Sequence, residues 1–202
     1  MSRILIVPGF NGSDTDHWQR HWLEEDQNAL LVEQESWTHP VLWVWLHKLE
    51  ADLIANPGAV LVGHSLGAVL IAHLANSPAA AHVDGALLVA PADIEAAQQR
   101  HPGRIEFGKM PRRRLPFPSI VVASRTDPYM PWLKSREYAG IWGSGLLDLG
   151  DAGHINVASG HGPWPEAYDI ARSLSRNPDD WRRTLRAPRD IVPPSAHLHT
   201  GC

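Results

Sequence analysis

A serine, an aspartate and a histidine, each following a short apolar run, are the residues here with types and spacing suited to nucleophilic chemistry. Ser65 sits in Gly63-His64-Ser65-Leu66-Gly67, a match to the pattern G-x-S-x-G. The run Ala59-Val60-Leu61-Val62 before it reads as a buried strand, and the Gly, Ala, Leu, Val and Ile residues from Leu66 onward read as a packed helix. A sharp turn between the two lifts the serine Oγ clear of the backbone. Gly63 and Gly67 are expected to remove Cβ atoms that would collide as strand and helix close up. The free N–H groups at the helix start then face any oxyanion forming beside Ser65. A serine that merely caps a helix fits the same five residues, so the flanking elements carry the stronger reading. A serine hydroxyl also needs a base. His154, behind Gly153, is the candidate base, and Asp127, in Thr126-Asp127-Pro128, is the candidate acid that would orient it. Their plain alternatives are a surface histidine in a glycine-rich loop and an Asp-Pro turn. Asp93, Asp148 and Asp151 compete with Asp127 for its role.

These side chains can meet only if the elements around them bring their loops together. Ile4–Val7 reads as a strand ending in the turn-rich Pro8-Gly9-Phe10-Asn11-Gly12-Ser13. Asp14 to Asp16 is expected to cap a helix in which Trp18, Trp22 and Leu23 share a face. Further strands are expected at Ala29–Val32, Gly85–Ala90, Ser119–Ala123 and Leu146–Leu149. A helix with Pro40 near its start should carry Leu42, Trp45, Leu46, Leu49 and Leu53 inward. Other helices are expected from Pro131, from Pro165 to Leu174 and from Pro178 to Arg186. The stretch from Ala92 to Leu115 has no clear period and suits a small lid or an excursion over the sheet. This alternation predicts a three-layer α/β sandwich with a mostly parallel sheet of about six strands. One domain should cover residues 1–186, with a Pro-rich tail over 187–202. Right-handed crossovers would set Ser65, Asp127 and His154 along the carboxyl edge of that sheet.

Composition narrows the partners. A length of 202 residues, 44% hydrophobic and 20% charged, suits one globular domain. A formal charge of -4 argues against nucleic acid or an anionic membrane as the main partner. Cys202 is the only cysteine, which leaves no internal disulfide, no cysteine-built zinc site and no thiol nucleophile in the core. No apolar run approaches the ~20 residues of a membrane span. The start, Met1-Ser2-Arg3, lacks a signal-peptide core, so a reducing cytoplasm is the expected setting. The 9 tryptophans are scattered without a period, which suits core packing better than a sugar platform.

The chain resembles the small serine hydrolases typified by retinoblastoma-binding protein 9 and its compact bacterial relatives. Five motifs carry the likeness: Pro8-Gly9-Phe10-Asn11-Gly12, His17-Trp18, Gly63-His64-Ser65-Leu66-Gly67, Arg125-Thr126-Asp127-Pro128-Tyr129, and Gly153-His154-Ile155-Asn156 running into Ser159-Gly160-His161-Gly162-Pro163-Trp164-Pro165. The order Ser…Asp…His is that of the α/β-hydrolases. The resemblance implies a minimal α/β-hydrolase fold, a Ser65–His154–Asp127 hydrolase without a cofactor, and esters or related small-molecule acyl compounds as substrates. It also implies an oxyanion hole of backbone N–H groups from Leu66 and from the loop after the first strand. There Phe10 is the first choice and Asn11 the second. The L-x-C-x-E motif associated with retinoblastoma binding cannot occur around a terminal Cys202, so that partner is not expected.

The remaining polar residues have plainer readings. His64 is expected to pack behind the turn. His17 and His21 have the i,i+4 spacing of a metal pair, but no third ligand and no general-base Glu accompany them, so no metal is expected. His197 and His199 are equally weak, and Arg112-Arg113-Arg114 reads as solvated surface. Two rival functions remain at this level: a non-catalytic interaction module on the same fold, and a peptidase or amidase using the same three residues.

Overall fold

The computed structural model describes residues 2–174. The expected helix from Pro178 to Arg186, the tail over 187–202, and Trp181, His197 and His199 lie outside the described residues. The strands are β1 (Ile4–Val7), β2 (Ala29–Leu31), β3 (Ala59–His64), β4 (Val83–Val89), β5 (Ser119–Ala123) and β6 (Gly145–Asp148). The helices are α1 (Trp18–Glu25), α2 (Leu42–Ala55), α3 (Leu66–His73), α4 (Ile94–Arg100), α5 (Trp132–Trp142) and α6 (Pro165–Ser173). The strands form one sheet in the order β2-β1-β3-β4-β5-β6, and every neighbouring pair is parallel.

The strands read as continuous apolar runs because both faces are covered. Along β1, Leu5 and Val7 join one core while Ile4 and Ile6 join the other; along β3, Leu61 faces the first and Val60 and Val62 the second. The first core holds the buried faces of α2, α3, α4 and α5, including Trp45, Leu49, Ile94 and Trp142. The second holds α1 and α6 through Trp18, Trp22, Ala167 and Ile170. This is the three-layer α/β sandwich expected from the sequence. In α2, Trp45, Leu49 and Leu53 are buried, while Leu42 and Leu46 are only half-buried.

One local expectation is corrected, and one open stretch is resolved. The cap of α1 is His17, whose Nδ1 accepts from the Gln19 N–H at 3.2 Å, rather than an aspartate from 14 to 16. The unperiodic stretch opens with α4, capped by the Asp93 side chain. It then buries Ile105, Phe107, Met110 and Leu115 in the first core. Backbone bonds between Leu42 and Glu106 and between Glu106 and Pro40, both 2.9 Å, pin it to the start of α2. The stretch is therefore a packed wall, whose apolar residues serve scattered contacts and so show no single period.

Candidate active site

Ser65 stands between β3 and α3 with φ 57° and ψ -121°, a conformation L-residues seldom adopt. Its N–H donates to the Val89 carbonyl at 3.0 Å, and its own carbonyl accepts from Ala68 and Ala92. The strained turn is therefore held from β4 as well as from α3. The glycines divide the steric work. A Cβ on Gly63 would lie 2.7 Å from the Ala68 Cα, which is the strand–helix contact expected. A Cβ on Gly67 would lie 2.0 Å from the Val7 carbonyl oxygen, so this glycine makes room for the end of β1 instead. Gly9 brings the next loop over the turn: a Cβ there would lie 2.8 Å from that of Ser65 and 3.2 Å from the Leu66 nitrogen.

The structure brings the three sequence candidates into one line. His154 Nε2 is 3.0 Å from Ser65 Oγ, and His154 Nδ1 is 3.0 Å from each carboxylate oxygen of Asp127. Asp127 is further held by the Tyr129 N–H, which donates to Oδ1 at 2.8 Å. The loops after β5 and β6 are stitched together by side chains. Ser124 Oγ accepts from the Ala152 N–H at 3.0 Å, and Thr126 Oγ1 accepts from the Gly153 N–H at 3.1 Å. The competing carboxylates are occupied elsewhere or exposed. Asp93 caps α4 and pairs with Lys134. Asp148 binds Arg125 and the Gly150 N–H, and Asp151 is exposed.

The backbone donors beside Ser65 are not equivalent. The Asn11 N–H donates to the Trp37 carbonyl at 2.8 Å, so it is already committed and drops out as an oxyanion donor. The N–H groups of Leu66 and Phe10 make no such bond among the described residues. A cavity of about 280 Å³ opens over Ser65. Phe10, Ala97, Ile105 and Tyr129 line it together with Asp14, His17 and Asn156. His101 tilts onto the Phe10 ring at 4.7 Å, and Tyr129 lies 4.5 Å from the His154 ring. The sequence does not single out His101, and it marks Tyr129 only as part of the motif around Asp127, because nothing local identifies either as a neighbour of Ser65.

Two more imidazoles back the site. The rings of His17 and His154 each lie 4.9 Å from that of His64. Burial, then the charges of His154 and His17, holds the His64 pKa well below the ordinary 6.5, so this ring is neutral. His17 is lowered to about 4, mainly by burial and then by the nearby histidines His154, His161 and His21. Nδ1 of His17 is taken by the cap of α1, and the ring packs against that of His64. Four tryptophans, Trp18, Trp22, Trp45 and Trp142, are buried in the cores, and Trp43 is exposed.

A parallel sheet covered on both faces, with a strained serine turn after its third strand and loops converging at its carboxyl edge, defines the α/β-hydrolase architecture. Residues 4–173 match the family model for serine hydrolases, and the chain belongs to that family. A YdeN-like protein from Pectobacterium atrosepticum is similar at 30% identity and a TM-score of 0.72, over 87% of this chain and 91% of that one. The ydeN gene product of B. subtilis matches at 20% identity and a TM-score of 0.67, over 88% of this chain and 100% of that one. Esterase 2 of Thermogutta terrifontis, phosphoramylated by tabun, matches at 19% identity and a TM-score of 0.62, over 93% and 85%. The protein is a hydrolase of this family.

Proposed function

We propose that the protein hydrolyses small carboxylic esters through an acyl-enzyme formed on Ser65. The observation that carries this is the unbroken hydrogen-bonded line Ser65–His154–Asp127 at the floor of a cavity of about 280 Å³. In the first half-reaction Ser65 Oγ attacks the acyl carbon while His154 Nε2 takes its proton. The carbonyl oxygen becomes an oxyanion, held by the N–H groups of Leu66 and Phe10. The bond to the leaving alkoxide then breaks, and His154 returns the proton to it. In the second half, water gives a proton to His154, its oxygen attacks the acyl-enzyme, and Ser65 leaves with that proton. Asp127 keeps the Nδ1 proton in place and stabilises the imidazolium. Phe10, Ala97 and Ile105 suit an apolar acyl or alcohol group, and the cavity volume suits a small one.

A fluorophosphonate probe tests the reading. The wild type should be labelled once, at Ser65, and Ser65→Ala should not be labelled while keeping its melting temperature. Labelling that persists in Ser65→Ala overturns the assignment. An inert wild type favours an interaction module on the same fold, and faster turnover of matched amides than esters favours a peptidase or amidase.

A further inference from the structure

The loop that delivers His154 is strained, and it is tied down from the other half of the chain. Ile155 has a φ of 51°, a region that β-branched residues avoid, and it is fully buried. Two consecutive carbonyls of this loop accept hydrogen bonds from buried side chains. His64 Nε2–H donates to the His154 carbonyl at 2.9 Å. Trp18 Nε1–H donates to the Ile155 carbonyl at 3.0 Å. The donors are themselves packed together, with Trp18 edge-on to His64 at 5.9 Å and His17 against both rings. His64 precedes Ser65 directly and Trp18 opens α1, so neither belongs to the loop it holds.

We propose that His64 and Trp18 form a two-point clamp that positions His154 for the reaction. A residue in a strained conformation stays there only when its surroundings over-determine it. Releasing either carbonyl would leave a buried acceptor unsatisfied and let the peptide around Ile155 relax. The His154 ring would then move relative to Ser65 and Asp127, where all the contacts are 3.0 Å long. His64 also stands directly beside the nucleophile: its backbone leads into the turn of Ser65 while its side chain holds the His154 carbonyl. The two residues hydrogen-bond to no reacting atom: their bonds hold the His154 and Ile155 carbonyls, and the His64 ring also packs 4.9 Å from that of His154.

The inference rests on His154 being the base. The test compares His64→Leu, which removes the donor, with His64→Gln, whose amide nitrogen can replace Nε2, and with Trp18→Phe, which removes the indole N–H together with part of the buried ring volume. Steady-state kinetics on a short-chain nitrophenyl ester is one readout. The other is the downfield proton signal of His154 Nδ1–H against Asp127, which needs no turnover. His64→Leu should lower kcat roughly 10- to 100-fold with little change in KM, and broaden or shift the Nδ1–H signal. His64→Gln should recover most of both, and Trp18→Phe should move them in the same direction as His64→Leu. A folded His64→Leu with wild-type kcat and an unmoved signal overturns the clamp, as does a folded His64→Gln that is as impaired as His64→Leu. Should His64→Leu not fold, Trp18→Phe with wild-type kcat and signal overturns it. Absence of turnover in the wild type defeats the hydrolase reading instead, and the proton signal still decides the clamp.

Discussion

Asp127 and His154 lie 27 residues apart in the chain, yet both carboxylate oxygens stand 3.0 Å from Nδ1 of the imidazole. The reason is that β5 and β6 are neighbours in register, with Ala123 beside Asp148, so the loops after them leave the sheet side by side. Ser124 and Thr126 then bind the second loop directly. The carboxylate, whose side chain is 2% exposed, approaches the ring from the side opposite Ser65.

Asp127→Asn should keep the fold and lower kcat by about 10³-fold or more, because an amide can favour the wrong imidazole tautomer. Asp93→Asn and Asp151→Asn should leave kcat within a few-fold of wild type. Steady-state kinetics on all three, with melting curves, is the check. A collapse in Asp93→Asn or Asp151→Asn with Asp127→Asn unharmed would reassign the acid.

Stability should fall with acid because of the buried histidines. His17 binds its proton at about 4 in the folded chain against 6.5 for a free imidazole. The unfolded chain therefore takes up protons first. This contribution is complete above the free value and is lost as pH falls from there towards the folded value. At about pH 5 the loss comes to about 2 kcal/mol for His17 alone. Its neighbour His64 shifts in the same direction. Melting temperatures across that range should drop, and the drop should shrink in His17→Asn, which keeps a capping acceptor for the Gln19 N–H.

Gly67→Ala should be severely destabilising, since the new Cβ would meet the Val7 carbonyl at 2.0 Å in the middle of the sheet edge. Soluble yield and thermal melting read this directly. A Gly67→Ala protein that melts like the wild type would mean that the end of β1 can yield.

Esters of short acids should turn over faster than long-chain lipids, because the cavity is only about 280 Å³ and Ala97, His101 and Ile105 of α4 and the packed stretch after it bound it. Ala97→Phe narrows the same space from α4. It should raise KM, or lower kcat, more for longer acyl groups than for acetyl. A panel of nitrophenyl esters with increasing chain length measures it, and preference for long chains would contradict the assigned size limit.

What the sequence determined by itself is local. The β-branched runs, the G-x-S-x-G turn and the spacing of Ser65, Asp127 and His154 behind strands are set by sterics and by apolar periodicity over a few residues. They suffice for a parallel sheet covered on both faces. The tertiary structure decided everything that depends on which strands and loops are neighbours. It placed Asp127, and not Asp93 or Asp151, against His154. It engaged the Asn11 N–H with Trp37, and it turned Gly67 towards β1 rather than β3. It folded the aperiodic stretch after Ala92 into the core, and it set Trp18 and His64 against carbonyls 137 and 90 residues away. Such contacts have no local signature, because a buried carbonyl accepts from whatever donor packing brings to it, at any distance along the chain.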